Sequence, residues 1–243
     1  MRKQKILICS YPHKTFYNSK QINKIISRSL KYPLKNQIIQ NISDGGEGMS
    51  DFFKTSKFEK LSVENANMKK KIIKIKITDR IALIEVSDII GGFNKKINDG
   101  MYRTSYGIGT VIKILYKKGI KKFIIGFGGS TVSDFGLGLA VSLGIKFYDK
   151  KNNLICKEND NLNAYSLKNI KHINLDNFFL KKNNLKFLLL SDSNIKITGN
   201  NGQVEVFAEQ KGILGKNKKI LNKGFKNFKV IIEKQFKKKI NKN

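Results

Sequence analysis

Residues 124–139 read Ile-Ile-Gly-Phe-Gly-Gly-Ser-Thr-Val-Ser-Asp-Phe-Gly-Leu-Gly-Leu, and this stretch constrains the fold more than any other. An apolar run stops at Gly126, turns through glycines and hydroxyl residues, presents one carboxylate at Asp134, and resumes an apolar pattern with Leu137, Leu139, Val141 and Leu143. That order predicts a strand, a tight polar loop and a helix start. Such a loop aims backbone N–H groups from Gly128 to Thr131 into a small volume. The following helix adds its positive end, so an anionic group is the expected guest. A flexible βα turn has the same local signature, and the rest of the chain must discriminate.

A chain of 243 residues holds one large domain or two small ones. No apolar run approaches the ~20 residues that span a bilayer, so no membrane partner is expected. The run Ile6-Leu-Ile-Cys9 is too short for a signal peptide, which predicts a cytoplasmic protein. Cys9 and Cys156 are too few for a disulfide framework or a cysteine metal site. The net charge of +30 raises the question of nucleic acid, but of 48 basic residues only Arg2, Arg28, Arg80 and Arg103 are Arg. Specific nucleic-acid sites favour Arg forks and aromatic platforms. The scattered Lys excess travels with Ile and Asn, as a genome poor in G and C would encode. No specific nucleic-acid partner is expected; a basic RNA-associated protein is the alternative.

Against this background the 18 acidic residues are informative. Asp44 and Glu47 stand in Asp44-Gly-Gly-Glu-Gly48, and Asp134 in the opening stretch, beside glycines instead of on solvated helix faces. Acids in glycine-rich loops suit metal or hydroxyl contacts, with solvent-facing turns as the alternative for each.

In chain order, residues 5–10 predict a buried strand and Ser19 a cap for a helix carrying Ile22, Ile25, Ile26 and Leu30, ended near Pro33. Residues 37–42 predict a second strand delivering the Asp44–Gly48 loop, then a helix over 49–54, so the chain begins β-α-β-α. Runs 72–78 and 81–86 around Asp79-Arg80 predict a hairpin and a domain transition near residue 60. Residues 87–100 read as a connection, and Thr104-Ser-Tyr-Gly-Ile-Gly109 opens a helix ended by Gly119. A strand over 122–126 leads into the central loop. Residues 149–184 are weakly patterned. Residues 187–190 predict a buried strand, 200–202 a turn, 203–208 an extended segment, and the C-terminal region a Lys-rich amphipathic helix.

Four ordered segments, Asp44–Gly48, Thr104–Gly109, Gly126–Gly138 and Val206-Phe-Ala-Glu-Gln-Lys-Gly212, resemble the bacterial glycerate kinase family over nearly the whole chain. The resemblance implies an α/β fold of two α/β domains: a Rossmann-like parallel-sheet domain, partly missing here, and an inserted mixed α/β domain. Residues 1–60 then belong to the first, and 61–243 to the insert and the start of the return. It implies phosphorylation of D-glycerate from ATP with Mg2+, and a chain that departs from the family at Ser10–Thr15, at Asp192–Ile197 and in the region 66–80. Family members also continue beyond the position of Asn243, so a complementing C-terminal segment is an expected partner. A kinase-like remnant that only binds ligand is the alternative.

For phosphoryl transfer, positioning and charge neutralisation dominate. Gly128, Gly129 and Ser130 are assigned to phosphate or carboxylate contact. Asp134 is the candidate metal ligand or base. Lys14 and Lys211 are assigned to charge neutralisation, Asp44 and Glu47 to the metal or substrate hydroxyls, and Asp192 to substrate. Ser105 and Tyr106 fit equally a packing role. His13 and His172 join no constellation.

Overall fold

A computed structural model describes residues 4–13, 16–43, 45–53, 57–92, 99–155 and 162–240. The expected site residues Lys14 and Asp44 lie outside them.

The first section holds strand β1 (Ile6–Ile8), helix α1 (Ser19–Ser29) and strand β2 (Gln37–Ile39), with β1 and β2 parallel. Asn18, not Ser19, caps α1. Its side chain accepts from Gln21 N while Gln21 Oε1 accepts from Asn18 N, a reciprocal capping box. Ser19 instead donates to Ser10 O and accepts from Ile42 N, stitching the helix to the loops after both strands. Both strands are shorter than the apolar runs suggested, and β1 is not buried throughout: Ile8 is covered while Leu7 faces solvent. Residues 49–52 form a short 3-10 turn.

Strands β3 (Phe58–Glu64), β4 (Lys70–Thr78) and β5 (Ile81–Glu85) form an antiparallel meander. The β4–β5 connection is the expected two-residue turn, with Asp79 and Arg80 both at positive φ (46° and 60°), the backbone a tight hairpin needs. The predicted connection after β5 contains a short helix, α2 (Val86–Ile90). Helix α3 (Tyr106–Lys117) follows, and strand β6 (Lys122–Gly126) starts and stops where the sequence predicted. Beyond it come α4 (Leu137–Ser142), the antiparallel pair β7 (Lys146–Tyr148) and β8 (His172–Asn174), α5 (Phe179–Lys182) and β9 (Lys186–Leu190). Helices α6 (Gln203–Phe207) and α7 (Gly215–Phe236) end the described chain.

The central sheet has the order β3-β4-β5-β6-β9, with β5, β6 and β9 mutually parallel. One core lies on it beneath α2 and α3, where Val111, Ile112 and Leu115 are buried against Ile84 and Phe123. Each such side chain contributes about 1.5–3 kcal/mol of burial free energy. A second core gathers α4, β7 and α7 around Leu137, Phe147, Leu167, Leu221 and Phe225.

Two further expectations are corrected. Residues 203–207 are helical, because Val204 and Ala208, four apart, are both buried in the second core; this spacing overrides the β-branched composition. Strand β9, predicted buried, leaves Leu188 and Leu189 exposed, since it pairs only with β6 among the described strands. No described helix is long and apolar enough to cross a membrane.

Candidate active site

The parallel strands end level with one another: Glu85, Gly126 and Leu190 are register partners on β5, β6 and β9. Loops leaving the C-terminal ends of parallel strands form the usual ligand crevice of such sheets. Here the loop after β6 is the glycine-rich segment, and the loop after β2 folds over it. A Cβ on Gly126 would lie 1.8 Å from Gly45 O, so only glycine permits this approach. Gly128 N donates to Gly45 O at 3.3 Å.

The glycine loop spends its N–H groups unevenly. Those of Gly128 and Thr131 are taken by Gly45 O and Ile90 O. Among the described residues, those of Gly129 and Ser130, at the accessible tip, have no hydrogen-bond partner. The expected anion-binding volume therefore narrows to these two.

Asp134 is almost completely buried. Its Oδ2 accepts from Ser105 N (2.8 Å), Ser105 Oγ (2.8 Å) and Gly138 N (3.0 Å), and its Oδ1 accepts from Gly136 N (3.0 Å). Ser105 Oγ in turn accepts from Leu139 N. The first turns of α3 and α4 thus point their unpaired N–H groups at a carboxylate the protein itself supplies. A Cβ on Gly138 would fall 2.0 Å from Thr104 Oγ1, which explains the glycine where the two helix starts meet. Burial pushes the Asp134 carboxyl above the usual range, opposed by these donors, which favour the ionised form. Three donors crowd Oδ2 and leave it no room for a cation, while Oδ1 receives one donor, from Gly136 N. The ring of Phe135, held at φ 55°, packs edge-on against Phe225 (4.8 Å) and Phe228 (5.2 Å), fastening the loop to α7.

Lys211 lies one residue before the left-handed Gly212 that ends a 3-10 turn. Its mostly buried Nζ donates to Val132 O at 2.5 Å. Burial lowers its pKa to about 8, and the charge of Asp134 opposes the shift. A desolvated ammonium against the glycine loop is suited to an incoming anion.

Glu85 is a site residue that reading the sequence missed. Buried at the end of β5, its carboxylate accepts from Gly48 N (2.9 Å) and Ser50 N (2.7 Å), clamping the loop that carries the exposed Glu47. Its signal was faint: one acid closing an apolar run. Partial burial, then the like charge of Glu85, push Asp88 up to about 6, with Lys71 opposing and Glu47 adding a smaller push; the residue's solvent exposure tempers the effect. Arg103, directly before the Thr104–Gly109 motif, is also buried, its Nη1 3.4 Å from Gly92 O. Asp192 is exposed on the rim of a cavity of about 530 Å³ lined by Ile42, Met49, Phe52, Phe53, Leu189 and Leu190.

The structure thus brings Gly128, Gly129, Ser130, Asp134 and Lys211 together, with Glu47 reached through Glu85 and Asp192 at the neighbouring strand end. Ser105 belongs to the same network through Asp134. Among the described residues no three His, Cys, Asp or Glu side chains converge as a cation cage.

The model of the Glycerate kinase family matches residues 6–243. The chain is 27% identical to a glycerate kinase of Neisseria meningitidis serogroup B over 219 residues, 86% of this chain and 57% of that protein. It is 29% identical to the glycerate 2-kinase of Escherichia coli K12 over 114 residues, 47% of this chain and 29% of that protein. A crystal structure ascribed to a glycerate kinase 2 of Salmonella typhimurium LT2 matches with a TM-score of 0.76 at 20% identity, covering 98% of this chain and 64% of that one. The mixed α/β fold is shared with that structure. The chain spans little more than half the length of the Neisseria relative.

Proposed function

Because this chain belongs to the glycerate kinase family, we propose that it forms the greater part of a kinase that transfers the γ-phosphoryl group of ATP to a hydroxyl of D-glycerate. The observation that carries this reading is the glycine-rich loop after β6, which leaves the Gly129 and Ser130 N–H groups without a partner among the described residues and holds the mostly buried Lys211 ammonium on Val132 O of the same loop. Such donors neutralise charge on transferring phosphoryl oxygens or on a substrate carboxylate.

In this reading the substrate hydroxyl forms the new bond to the γ-phosphorus as the bond to the ADP oxygen breaks. The hydroxyl proton leaves to a carboxylate or to water. Glu47, held by the Glu85 clamp, and Asp44 are the carboxylates assigned to the hydroxyls, with Lys14 assisting at the phosphate and Asp192 at the substrate. Asp134 acts by positioning: it fixes the glycine loop between two helix starts. Mg2+ fits only as an ion brought with the nucleotide, since kinase Mg2+ is held mostly by phosphate oxygens, water and one or two carboxylates. Completion of the cleft by a complementing segment belongs to the same proposal, because well-oriented reactants are worth up to ~7–11 kcal/mol of barrier and one wall alone loses much of that. Cytoplasmic placement and the absence of a specific nucleic-acid partner are proposed with it.

The test is a coupled assay for ADP release with ATP, Mg2+ and D-glycerate, run with this chain alone and with a complementing segment. Glycerate-dependent release in the completed system is expected, near background for the chain alone. Equal release with and without glycerate refutes the kinase reading. Saturable glycerate binding without turnover in either arm identifies a ligand-binding remnant instead.

A further inference from the structure

Helix α7 buries one side and turns a row of lysines outward on the other. Leu221, Phe225 and Phe228 face the second core. At about 100° per residue, positions 216, 219, 223, 226, 230 and 234 fall within an arc of about 80° on the opposite side. They carry Lys216, Lys219, Lys223, Lys226, Val230 and Lys234, all exposed. Of the 48 basic residues four are Arg, so Lys fills 44 of the 243 positions, fewer than one in five, but five of the six on this stripe. Composition alone would scatter these charges; the helix aligns them.

The carboxylates near the helix are engaged elsewhere. Glu233, the one acid within α7, lies beside the stripe and holds Lys229 and the Ile240 N–H. Glu205 and Glu209 hold Lys218, and Glu205 also accepts from Asn222 Nδ2. The field of Lys226 reaches Glu205 without a contact. Among the described residues none of the five stripe ammoniums lies within salt-bridge distance of a carboxylate. Like charges three and four residues apart repel along a helix, so the stripe costs stability unless a polyanion neutralises it. The row runs about 27 Å from Lys216 to Lys234, at about 1.5 Å per residue. A nucleic-acid duplex is a rod of comparably regular charge, with about one phosphate per 1.7 Å of its axis. A bilayer fits less well, because the apolar side of α7, which an interfacial helix would insert, is spent on the core. No Arg and no aromatic ring lies on the stripe, so it has neither the forks of sequence readout nor the stacking platforms of single-strand binding.

We propose that α7 docks along the phosphate backbone of double-stranded nucleic acid, without regard to sequence, through Lys216, Lys219, Lys223, Lys226 and Lys234. This is a second function, independent of the kinase reading and compatible with the absence of a sequence-specific partner. The stripe lies on the side of α7 away from Phe225 and Phe228, against which Phe135 of the glycine loop packs. Each lysine releases counterions from the phosphates it meets. At about −0.9 per phosphate, five lysines account for a slope of about −4.5 in log K against log salt. Between about 50 and 200 mM salt that slope is a loss of about 500-fold in affinity.

The test measures binding of the 243-residue chain to a fluorescent duplex of arbitrary sequence by anisotropy across that salt range. A chain carrying Lys219→Gln, Lys223→Gln and Lys226→Gln should show a slope shallower by about 2.7, so that raising the salt costs it about 40-fold less affinity than the parent. A control chain carrying Lys24→Gln, Lys117→Gln and Lys146→Gln, at exposed positions on α1, α3 and β7, should change the slope by less than about 1, the share of a single phosphate. Circular dichroism checks that both variants fold, and Lys223→Gln alone, expected to change the slope by about 0.9, keeps the test decisive should the triple variant fold poorly. Equal slopes in the stripe and control variants would assign binding to diffuse charge and overturn the proposal, as would a parental slope in the stripe variant. Stripe-dependent binding to vesicles of phosphatidylserine and phosphatidylcholine in equal parts, with none to the duplex, would overturn it in favour of a membrane surface.

Discussion

Replacing Asp134 by Asn tests the centre of the site directly. The carboxylate receives four donors at 3.0 Å or less, three of them on Oδ2. An Asn side chain best keeps its carbonyl at the Oδ2 position and turns its NH2 toward Gly136 N–H. One buried backbone donor then loses its acceptor and faces another donor, a cost of about 1–3 kcal/mol. The three retained bonds become neutral ones, roughly half as strong as charge-assisted bonds. Relief of burying a charge offsets part of this. The net expectation is a loss of about 2–4 kcal/mol, a large fraction of the ~5–15 kcal/mol that holds a typical domain. Asp134→Ala, which strands all four donors, should cost more than Asn. Urea unfolding followed by circular dichroism reads both as shifts in midpoint at constant slope. An Asn variant within about 0.5 kcal/mol of the parent would refute the view that Asp134 staples the starts of α3 and α4. In the completed kinase the same variant should also lower kcat by about two orders of magnitude, through misplacement of the glycine loop.

Glu85→Gln should leave Gly48 N or Ser50 N facing an NH2 group and destabilise by about 1–3 kcal/mol, with faster exchange of those two amides; unchanged exchange would show that the loop stands without the clamp. Gly126→Ala should prevent the loop after β2 from closing, because the new Cβ would lie 1.8 Å from Gly45 O, so a variant with parental thermal midpoint would contradict that approach. Lys211 titrates at about 8 folded against an ordinary value of 10.5. Between those values the unfolded chain binds more protons, so stability rises with pH there by up to about 3 kcal/mol. That rise should be smaller in Lys211→Met across pH 8–10.5; identical pH profiles would show that the ammonium is not desolvated.

Much of the local structure was legible because it is set by contacts near in sequence. Gly126 had to end a strand and Gly119 a helix, Asp79-Arg80 had to turn a hairpin, and the hydroxyl-rich run after β6 had to be a loop. The same short-range chemistry marked Asp134 as special. Its partners were decided only by tertiary structure: Ser105 lies 29 residues away and meets Asp134 because α3 and α4 begin side by side. An anion site inferred from a helix start could not show that the protein's own carboxylate takes the N–H groups of Ser105, Gly136 and Gly138. Glu85 was invisible for the same reason, since its role depends on a loop 35 residues earlier folding back over β5. Residues 203–207 went the other way, where burial of Val204 and Ala208 on one side overrode strand propensity. The exposure of Leu188 and Leu189 completes the contrast: their apolar character belongs to the sequence, but whether a neighbour covers them is a property of the assembled sheet.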